Sequence, residues 1–273
     1  MRRVFSIPLA ILLLLAPAAC SGQGGKSVKS PGDFPGAKIA VQVETTADDS
    51  ISEMAENSSI DIKRYPVVTQ CFNDLKAGRV DAVYVDNVVA TFYMKDSTGF
   101  ERIWVSSEAE PLGICLRKDS GELAAAIEAA VDTLYYNGKM TEFAQKHFGE
   151  DLSANIRHVT EQPVIPSFDR DSLFAAGKLS IGCEVGYPPM EYTEEDGTTY
   201  VGFDIDVGAA VAELLGLDAN VIHTAWEGIF AGLETGRYDC IISSVSITPE
   251  RKQAYILTDP YVSNELCIVV KKK

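Results

Sequence analysis

The stretch that decides the fold is Ala176–Asp206, which reads AGKLSIGCEVGYPPMEYTEEDGTTYVGFDID. Its first apolar run predicts a buried strand over Leu179–Cys183. Tyr187 is followed by two prolines and is therefore expected to adopt extended backbone in an exposed turn. The acidic segment after the prolines contains a glycine and predicts a hairpin. An amphipathic helix is predicted to begin at Gly202.

Strands and helices alternate on both sides of this stretch, with short connections. An acidic helix is predicted after Thr46, which is the expected N-cap. The other predicted strands are 37–43, 80–85, 101–105, 221–223, 240–243 and 266–270, and the other predicted helices are 67–77, 86–96, 122–148 in two parts, 169–178, 202–215 and 226–234. This alternation indicates the α/β class.

The chain also contains an internal repeat of seven residues. Leu75–Asp81, LKAGRVD, matches Leu233–Asp239, LETGRYD. Each copy predicts the end of a helix, a glycine stop and an Arg-x-Asp leading into a buried strand. We interpret the repeat as structural, because two lobes of similar architecture would each need it.

Composition limits the classes of function. The chain has 273 residues, a formal net charge of -15 and 46% hydrophobic residues. The length suits two lobes of ordinary size. The negative charge argues against nucleic acid as a partner and against electrostatic binding to anionic lipid.

Residues 1–20 have the pattern of a secretion signal. Arg2 and Arg3 precede the apolar run Ile7–Leu15, which is too short to span a bilayer permanently. The small residues before Cys20 resemble a lipoprotein processing site, in which Cys20 carries the lipid. Ordinary cleavage after Ala18 is the alternative. The expected location is extracytoplasmic, with the membrane reached through the lipid anchor.

The cysteines and histidines predict neither a disulfide framework nor a metal site. Five cysteines remain after the leader, an odd number, and four lie in apolar runs typical of strands. The three histidines are scattered and no CxxC motif occurs. No metal and no cofactor are therefore expected.

The quoted stretch resembles the opening of the mature amino-acid-binding proteins of ABC importers, which form solute-binding protein family 3. Two further motifs carry the same resemblance: SVSITPER at Ser244–Arg251 and PLGICLRK at Pro111–Lys118. The resemblance implies a two-lobed, type II periplasmic-binding-protein-like fold with the ligand cleft between the lobes.

The two resembling blocks occur in reversed order, which suggests a circular permutant. Residues 37–151 resemble the second half of the family, and residues 169–273 resemble its first half. The resulting division is a signal peptide at 1–20, a flexible tether at 21–36, lobe 2 at 37–112 and lobe 1 at 113–273, with a permutation linker at 150–168. The crossing near Gly113–Lys118 is then the one expected covalent connection between the lobes, so looser lobe coupling than in an unpermuted relative is predicted.

Two half-proteins completed by a second copy are the alternative to permutation, since swapping of equivalent elements is a known route to dimers. A monomer is the expectation from the permuted arrangement.

A free amino acid carries a carboxylate and an ammonium, so its cleft needs a planar donor and a fixed carboxylate. The resemblance assigns the α-carboxylate to Arg251 in lobe 1 and to Thr46 in lobe 2. It assigns the ammonium to Asp86. It implies that Ser244 and Ser246 contact both the ammonium and the carboxylate, and that Thr45 and Ser243 also bind the ligand.

The side chain of the ligand would lie among aromatic and acidic residues. Tyr187 and Trp226 match the aromatic wall of the family, and Glu184 matches a carboxylate present in binders of basic amino acids. A cation over an aromatic ring near Glu184 would be attracted. This favours arginine, lysine or ornithine, with another polar amino acid as the alternative.

The predicted function is therefore a solute receptor, not an enzyme, that hands a free L-amino acid to the transmembrane subunits of an ABC permease. A dehydratase-like enzyme of the cyclohexadienyl type on the same scaffold is the first alternative, with Glu184 as a general acid. The sensor module of a signalling protein is the second.

Overall fold

The computed structural model describes residues 25–95 and 99–272. The predicted signal peptide and its lipidation site at Cys20 lie outside these residues. Part of the predicted tether lies within them and is not flexible. Val28 and Phe34 are buried in the core of lobe 2, at 5% and 0% exposure, and a 3-10 turn spans Pro31–Asp33. The tether prediction is therefore wrong from about residue 28 onward, because these two apolar side chains anchor the segment.

The first half of the chain builds most of lobe 2 and the helices that cover lobe 1. In chain order its elements are β1 Lys38–Gln42, α1 Thr46–Ala55, β2 Asp61–Tyr65, α2 Val68–Ala77, β3 Ala82–Asp86, α3 Asn87–Lys95, β4 Phe100–Val105, β5 Glu110–Leu112, β6 Cys115–Leu116, α4 Gly121–Tyr136 and α5 Lys139–Phe148. These agree with the predicted order of strands and helices, except that β2 was not predicted.

The second half of the chain builds most of lobe 1. Its elements are β7 Lys178–Cys183, β8 Tyr192–Thr193, β9 Tyr200–Val201, α6 Phe203–Leu214, β10 Asp218–His223, α7 Ile229–Glu234, β11 Cys240–Ile241, α8 Pro249–Ala254, β12 Ile256–Leu257, β13 Val262–Asn264 and β14 Leu266–Lys271. The helix predicted over 169–178 is wrong: a 3-10 turn spans Arg170–Ser172, and Gly177 then adopts a φ of +73° directly before β7.

Each lobe contains a five-stranded sheet of the same design. The strand order is β2-β1-β3-β14-β4 in lobe 2 and β10-β7-β11-β6-β12 in lobe 1. The first three strands of each sheet are parallel, and the fourth is antiparallel to both of its neighbours. Each fourth strand, β14 or β6, follows directly on a hinge strand arriving from the other lobe. The molecule is thus a two-lobed α/β protein of the periplasmic-binding-protein type.

Two covalent connections join the lobes. One runs from β4 through β5 to β6, and the other runs from β12 through β13 to β14. β5 and β13 pair with each other, with Val262 opposite Leu112. The expectation of a single crossing is therefore wrong, and with it the reason for looser lobe coupling.

The predicted lobe boundary is also corrected at its C-terminal end, because residues 266–271 belong to lobe 2. The apolar run of β14 fills the gap between β3 and β4, where Cys267, Ile268 and Val269 are fully buried. One chain completes both sheets, so neither lobe needs a strand from a second copy.

The seven-residue repeat has the same structural role in both lobes, as the sequence indicated. Gly78 and Gly236 both have φ of +71°, a left-handed conformation that glycine adopts without steric cost. Asp81 accepts a hydrogen bond from the backbone N–H of Lys38 at the start of β1 (2.8 Å). Asp239 accepts one from Ser180 in β7 (2.8 Å). Each aspartate therefore ties the strand that follows its helix to the neighbouring parallel strand, β1 in lobe 2 and β7 in lobe 1.

The join at 150–168 contains neither a helix nor a strand, as expected, and Arg157 fixes it to lobe 1. Its guanidinium binds the carboxylates of Glu128 and Asp132 on α4. It also donates to the carbonyl oxygens of Asp259 and Pro260, just before β13. The side chain of Arg157 is 6% exposed, so this charge is well enclosed by its partners.

All five cysteines in the described residues are buried and unbridged, and four of them lie in strands as predicted. A search of the described residues for a helix with the length and apolar character of a membrane span found none.

Candidate functional site

One crevice between the lobes collects every predicted ligand-binding residue. About 340 Å³ of empty space lies there, the open solvent at its mouth included. Two residues that the sequence did not suggest complete its lining. The lining residues are Gln42, Thr45, Thr46, Asp86, Glu184, Tyr187, Glu191, Trp226, Ser243, Ser244, Ser246 and Arg251.

The crevice lies where parallel strands of both sheets end. Gln42 is the last residue of β1, Asp86 is the last residue of β3, and Glu184 follows β7. Ser243 and Ser244 come shortly after β11. Because parallel strands end at one edge of a sheet, short distances along the chain bring these groups together in space.

Arg251 lies in the first turn of α8. The Thr248 side chain caps this helix and accepts a hydrogen bond from the backbone N–H of Arg251 (3.2 Å). Its guanidinium carbon lies 5.6 Å from the centre of the Trp226 ring and 5.2 Å from that of Phe230. One nitrogen donates to the carbonyl oxygen of Ser246 (3.1 Å). Burial lowers the pKa of this guanidinium. Among the described residues it forms no salt bridge, so donors remain for an anion.

Asp86 closes the crevice from lobe 2. It is 8% exposed and accepts a hydrogen bond from the Tyr187 hydroxyl of lobe 1 (2.7 Å). Burial, and then the negative charge of Glu110, raise the pKa of this carboxyl well above its usual range. An ammonium in contact with Asp86 would reverse this effect, because an opposite charge favours the carboxylate.

The two threonines at the start of α1 have different roles. Thr45, and not Thr46 as predicted, is the N-cap, and its hydroxyl accepts the N–H of Asp48 (3.3 Å). Thr46 is the first residue of the helix, so its hydroxyl is free to turn toward the hinge and donates to Glu110. The prediction missed this because either threonine satisfies the capping pattern.

The three serines face different partners. Ser246 donates its hydroxyl hydrogen to Glu110 (2.9 Å). Ser243 donates to Glu191 and accepts the backbone N–H of Glu184 (3.0 Å), so both its bonds stay within lobe 1. Ser244 adopts a φ of +50°, and its backbone N–H donates to Asp204 (2.7 Å). This unusual conformation presents the chain after β11 to the crevice.

Glu184 faces the crevice from lobe 1 and is 4% exposed. The side-chain amide of Gln42, in lobe 2, donates to both of its carboxylate oxygens (2.8 and 2.9 Å). Burial raises the pKa of Glu184 to about 7, and Gln42 moderates the shift. A further bond crosses the crevice from the Trp226 indole to the carbonyl oxygen of Glu44 (3.0 Å).

Sequence reasoning missed three residues of this region: Gln42, Glu191 and Glu110. Gln42 could have been found from its place at the end of β1, the position that Asp86 holds on β3. Glu191 lies behind Ser243, and its carboxyl interacts with that of Asp204. No sequence pattern marks Glu110, since its contacts depend on how the hinge strands meet.

Part of the chain is similar to known proteins. The family described as bacterial extracellular solute-binding proteins, family 3, matches residues 179–273. The L-cystine-binding protein TcyJ of Escherichia coli (strain K12) is 35% identical over 96 residues, which are 35% of this chain and 36% of that protein. ABC transporter arginine-binding protein 1 of the same strain is 33% identical over 98 residues, 36% of this chain and 40% of that protein.

Two further relatives are named for an enzyme and for an arginine-bound domain. A cyclohexadienyl dehydratase of Pseudomonas aeruginosa (strain ATCC 15692 / DSM 22644 / CIP 104116 / JCM 14847 / LMG 12228 / 1C / PRS 101 / PAO1) is 32% identical over 92 residues, 34% of each chain. Domain 1 of TmArgBP, solved in its arginine-bound form, is 32% identical over 35% of this chain and 81% of that domain, with a TM-score of 0.31.

The matched region spans little more than a third of the length of the curated relatives. It holds β7, the Tyr187 turn and the Ser244–Arg251 motif, which bring lobe 1 residues to the crevice, and it also holds β14, which belongs to lobe 2. Residues 179–273 are therefore similar to the bacterial extracellular solute-binding proteins, family 3.

Proposed function

We propose that this protein is the substrate-binding component of an ABC amino-acid importer and closes its two lobes around a free, basic L-amino acid. One observation carries the proposal: Arg251 of lobe 1 and Asp86 of lobe 2 line the same buried crevice. A zwitterion held by both would need the lobes to close on it.

The two charged groups suit the two ends of an amino acid. The Arg251 guanidinium has a planar set of donors and, among the described residues, no carboxylate paired with it, so a ligand carboxylate can bind in its fork. Asp86 is buried and otherwise accepts a hydroxyl, so an ammonium would offer it a stronger partner. The hydroxyls of Thr46 and Ser246 lie at the same end of the crevice.

Three residues of the same crevice suit a positively charged side chain. They are Glu184 and the aromatic residues Tyr187 and Trp226. A cation near Glu184 would restore its ionised form and would also be attracted to the ring faces. Arginine, lysine and ornithine fit this description. Relatives named for arginine and for cystine are consistent with a polar amino acid.

Ligand entry requires the lobes to separate. Among the described residues, three pairs form side-chain hydrogen bonds across the crevice: Tyr187 with Asp86, Gln42 with Glu184 and Trp226 with Glu44. A hinge at β5 and β13 would open the crevice, and the ligand would stabilise the closed form by contacting both lobes. The proposal includes a lipid anchor at Cys20, an extracytoplasmic location and the permease subunits as partner.

Calorimetry against the twenty amino acids, ornithine and cystine tests the proposal. We expect basic amino acids to bind with a Kd of about 1 μM or below, and the ligand to be recovered unchanged. An enzyme is the second candidate, because one relative is a dehydratase and the pKa of Glu184 lies near 7. Turnover of prephenate or arogenate, without binding of any amino acid, would contradict the receptor proposal and support the enzyme.

We also propose that the chain is circularly permuted relative to its family. Residues 25–28 and 270–272 line one cavity on lobe 2, so the two segments lie side by side. The backbone N–H of Lys272 donates to Gly99 (2.9 Å), which ties the last strand to the same lobe. A short link between these segments would restore the order in which residues 169–272 come before residues 37–151.

A reordered chain tests the permutation. Its sequence would run from residue 169 to 272, then through a short flexible link to residues 25–151. Because the cut falls in the irregular join, we expect a folded protein that melts within about 10 °C of the original and binds the same ligand. A second chain opened inside β7 serves as the control and should not fold. A reordered chain that aggregates like this control would contradict the proposal.

A further inference from the structure

We infer that Gln42 is a specificity-determining residue: its side-chain oxygen Oε1 accepts a hydrogen bond from the side chain of the ligand and so selects a guanidinium over an ammonium. The inference rests on the proposed amino-acid ligand and deepens it, because it separates arginine from lysine and ornithine at one named atom of lobe 2.

The side-chain amide of Gln42 has an orientation that its neighbours decide. Its nitrogen Nε2 donates to the two carboxylate oxygens of Glu184, in lobe 1, at 2.8 and 2.9 Å. The same nitrogen donates to the carbonyl oxygen of Pro66, in lobe 2 (3.2 Å). The opposite orientation would place Oε1 against three oxygens, and an amide oxygen has no hydrogen to donate to them. The position of Oε1 is therefore set by these contacts.

This orientation leaves Oε1 as a buried acceptor without a donor. Gln42 is 5% exposed, and no group in the described part of the chain donates a hydrogen bond to Oε1. Buried polar atoms in folded proteins nearly always have a partner, because an unpaired one has given up its bond to water for nothing. Since Gln42 lines the crevice, a ligand bound there is in a position to supply the donor.

A second acceptor lies close to Oε1. The amide oxygen and nitrogen are bonded to one carbon, and the nitrogen contacts Glu184, so Oε1 lies within about 5 Å of that carboxylate. The crevice thus presents a carboxylate from lobe 1 and a neutral amide oxygen from lobe 2 to one small group. The two acceptors come together only when the lobes are closed, so Gln42 acts on the closed form of the complex.

A guanidinium matches this pair of acceptors better than an ammonium does. It carries five N–H donors on three nitrogens in one rigid plane. One edge can donate to Glu184 while an outer N–H donates to Oε1 of Gln42. Its flat faces also suit the rings of Tyr187 and Trp226, which line the same crevice.

An ammonium carries all its donors on a single nitrogen and holds its water more strongly than a guanidinium. Glu184 is 4% exposed, so a cation that binds there gives up most of its water. A lysine side chain in contact with Glu184 has no second nitrogen to direct toward Gln42. Gln42 should therefore increase the affinity for arginine and contribute little to the affinity for lysine or ornithine.

Gln42→Met tests the inference, because methionine has a similar size and flexibility but no strong acceptor. Calorimetry with L-arginine and with L-lysine at pH 8 gives two dissociation constants. At this pH Glu184 is ionised for both ligands, since its pKa is about 7. We expect the unchanged protein to bind arginine at least tenfold more tightly than lysine. In Gln42→Met, arginine should bind about tenfold more weakly and lysine should change by less than about threefold.

The ratio of the two constants separates this role from a structural one. Loss of the Gln42–Glu184 bond between the lobes would change the binding of both ligands equally, whereas loss of the acceptor affects arginine alone. Gln70→Met is the matched control, since it makes the same substitution at an exposed residue of lobe 2 and should change neither constant.

Equal changes for the two ligands in Gln42→Met overturn the inference. If this variant fails to fold, the preference of the unchanged protein decides: tighter binding of arginine supports the inference, and equal or tighter binding of lysine overturns it. Binding of another amino acid but not of arginine also overturns it and leaves the receptor intact. Failure of the unchanged protein to bind any amino acid overturns the proposed function, and this inference with it.

Discussion

Arg251→Lys is expected to weaken binding of L-arginine at least hundredfold, equal to a loss of about 3 kcal/mol. Lysine keeps the positive charge, but it cannot offer two parallel donors to a carboxylate. It also loses the flat contact with Trp226 and Phe230 that holds the guanidinium in place. Calorimetry measures the loss, and thermal unfolding of the ligand-free variant checks that it folds.

Lys252→Ala provides the control for this substitution. Lys252 is the next residue on α8, is exposed and carries the same charge, so its loss should change the affinity by less than threefold. Binding of L-arginine by Arg251→Lys within tenfold of the unchanged protein would show that the guanidinium does not hold the carboxylate. The proposed orientation of the ligand would then be wrong.

The crevice lining could be predicted because it depends on local sequence. Asp86 and Glu184 come at or just after the ends of strands, and Arg251 comes three residues after a capping threonine. Such positions are set by the pattern of apolar runs and caps, which is visible in a single sequence. The resemblance to the family selected ten residues, and all ten line one crevice. Their roles toward a ligand stay predictions.

The path of the chain between the lobes could not be predicted from such patterns. The apolar run of β14 reads as a buried strand, but nothing local says which sheet it completes. It pairs with β3 and β4 of lobe 2, which makes a second crossing. The contacts of Glu110 have the same origin, since they arise where β5 meets β13. Pairings between distant segments are thus the part that sequence reasoning missed.

The N-cap of α1 and the tether were predicted wrongly because the sequence pattern allowed two structures at each place. Thr45 and Thr46 are both suitable N-cap residues. In the structure the helix begins at Thr46, so Thr45 is the N-cap. The segment before residue 37 is rich in glycine, serine and lysine, but two apolar residues, Val28 and Phe34, are enough to hold it against lobe 2. The overall composition of a segment does not reveal single apolar residues that become buried.

Glu184→Gln is expected to affect stability and binding in opposite directions. The pKa of Glu184 is about 7 in the folded protein, against 4.5 for the free group. The folded state therefore binds this proton more tightly than the unfolded state. Its contribution to the free energy of unfolding is present below pH 4.5 and is lost as the pH rises to about 7. Above pH 7 the buried charge costs about 3 kcal/mol.

Glutamine removes this charge, and its amide could donate to Oε1 of Gln42, a buried atom without a hydrogen-bond partner among the described residues. We therefore expect urea unfolding at pH 8 to show a gain of about 2 kcal/mol for the ligand-free variant, with little change at pH 4.5. The same variant should bind L-arginine at least tenfold more weakly, because the cation loses its carboxylate. Glu227→Gln, an exposed neighbour that acts on Glu184 through its charge, is the control and should change both quantities only slightly. An equal change in stability at both pH values would mean that Glu184 is ionised throughout, and a basic side chain would then have no proton to displace there.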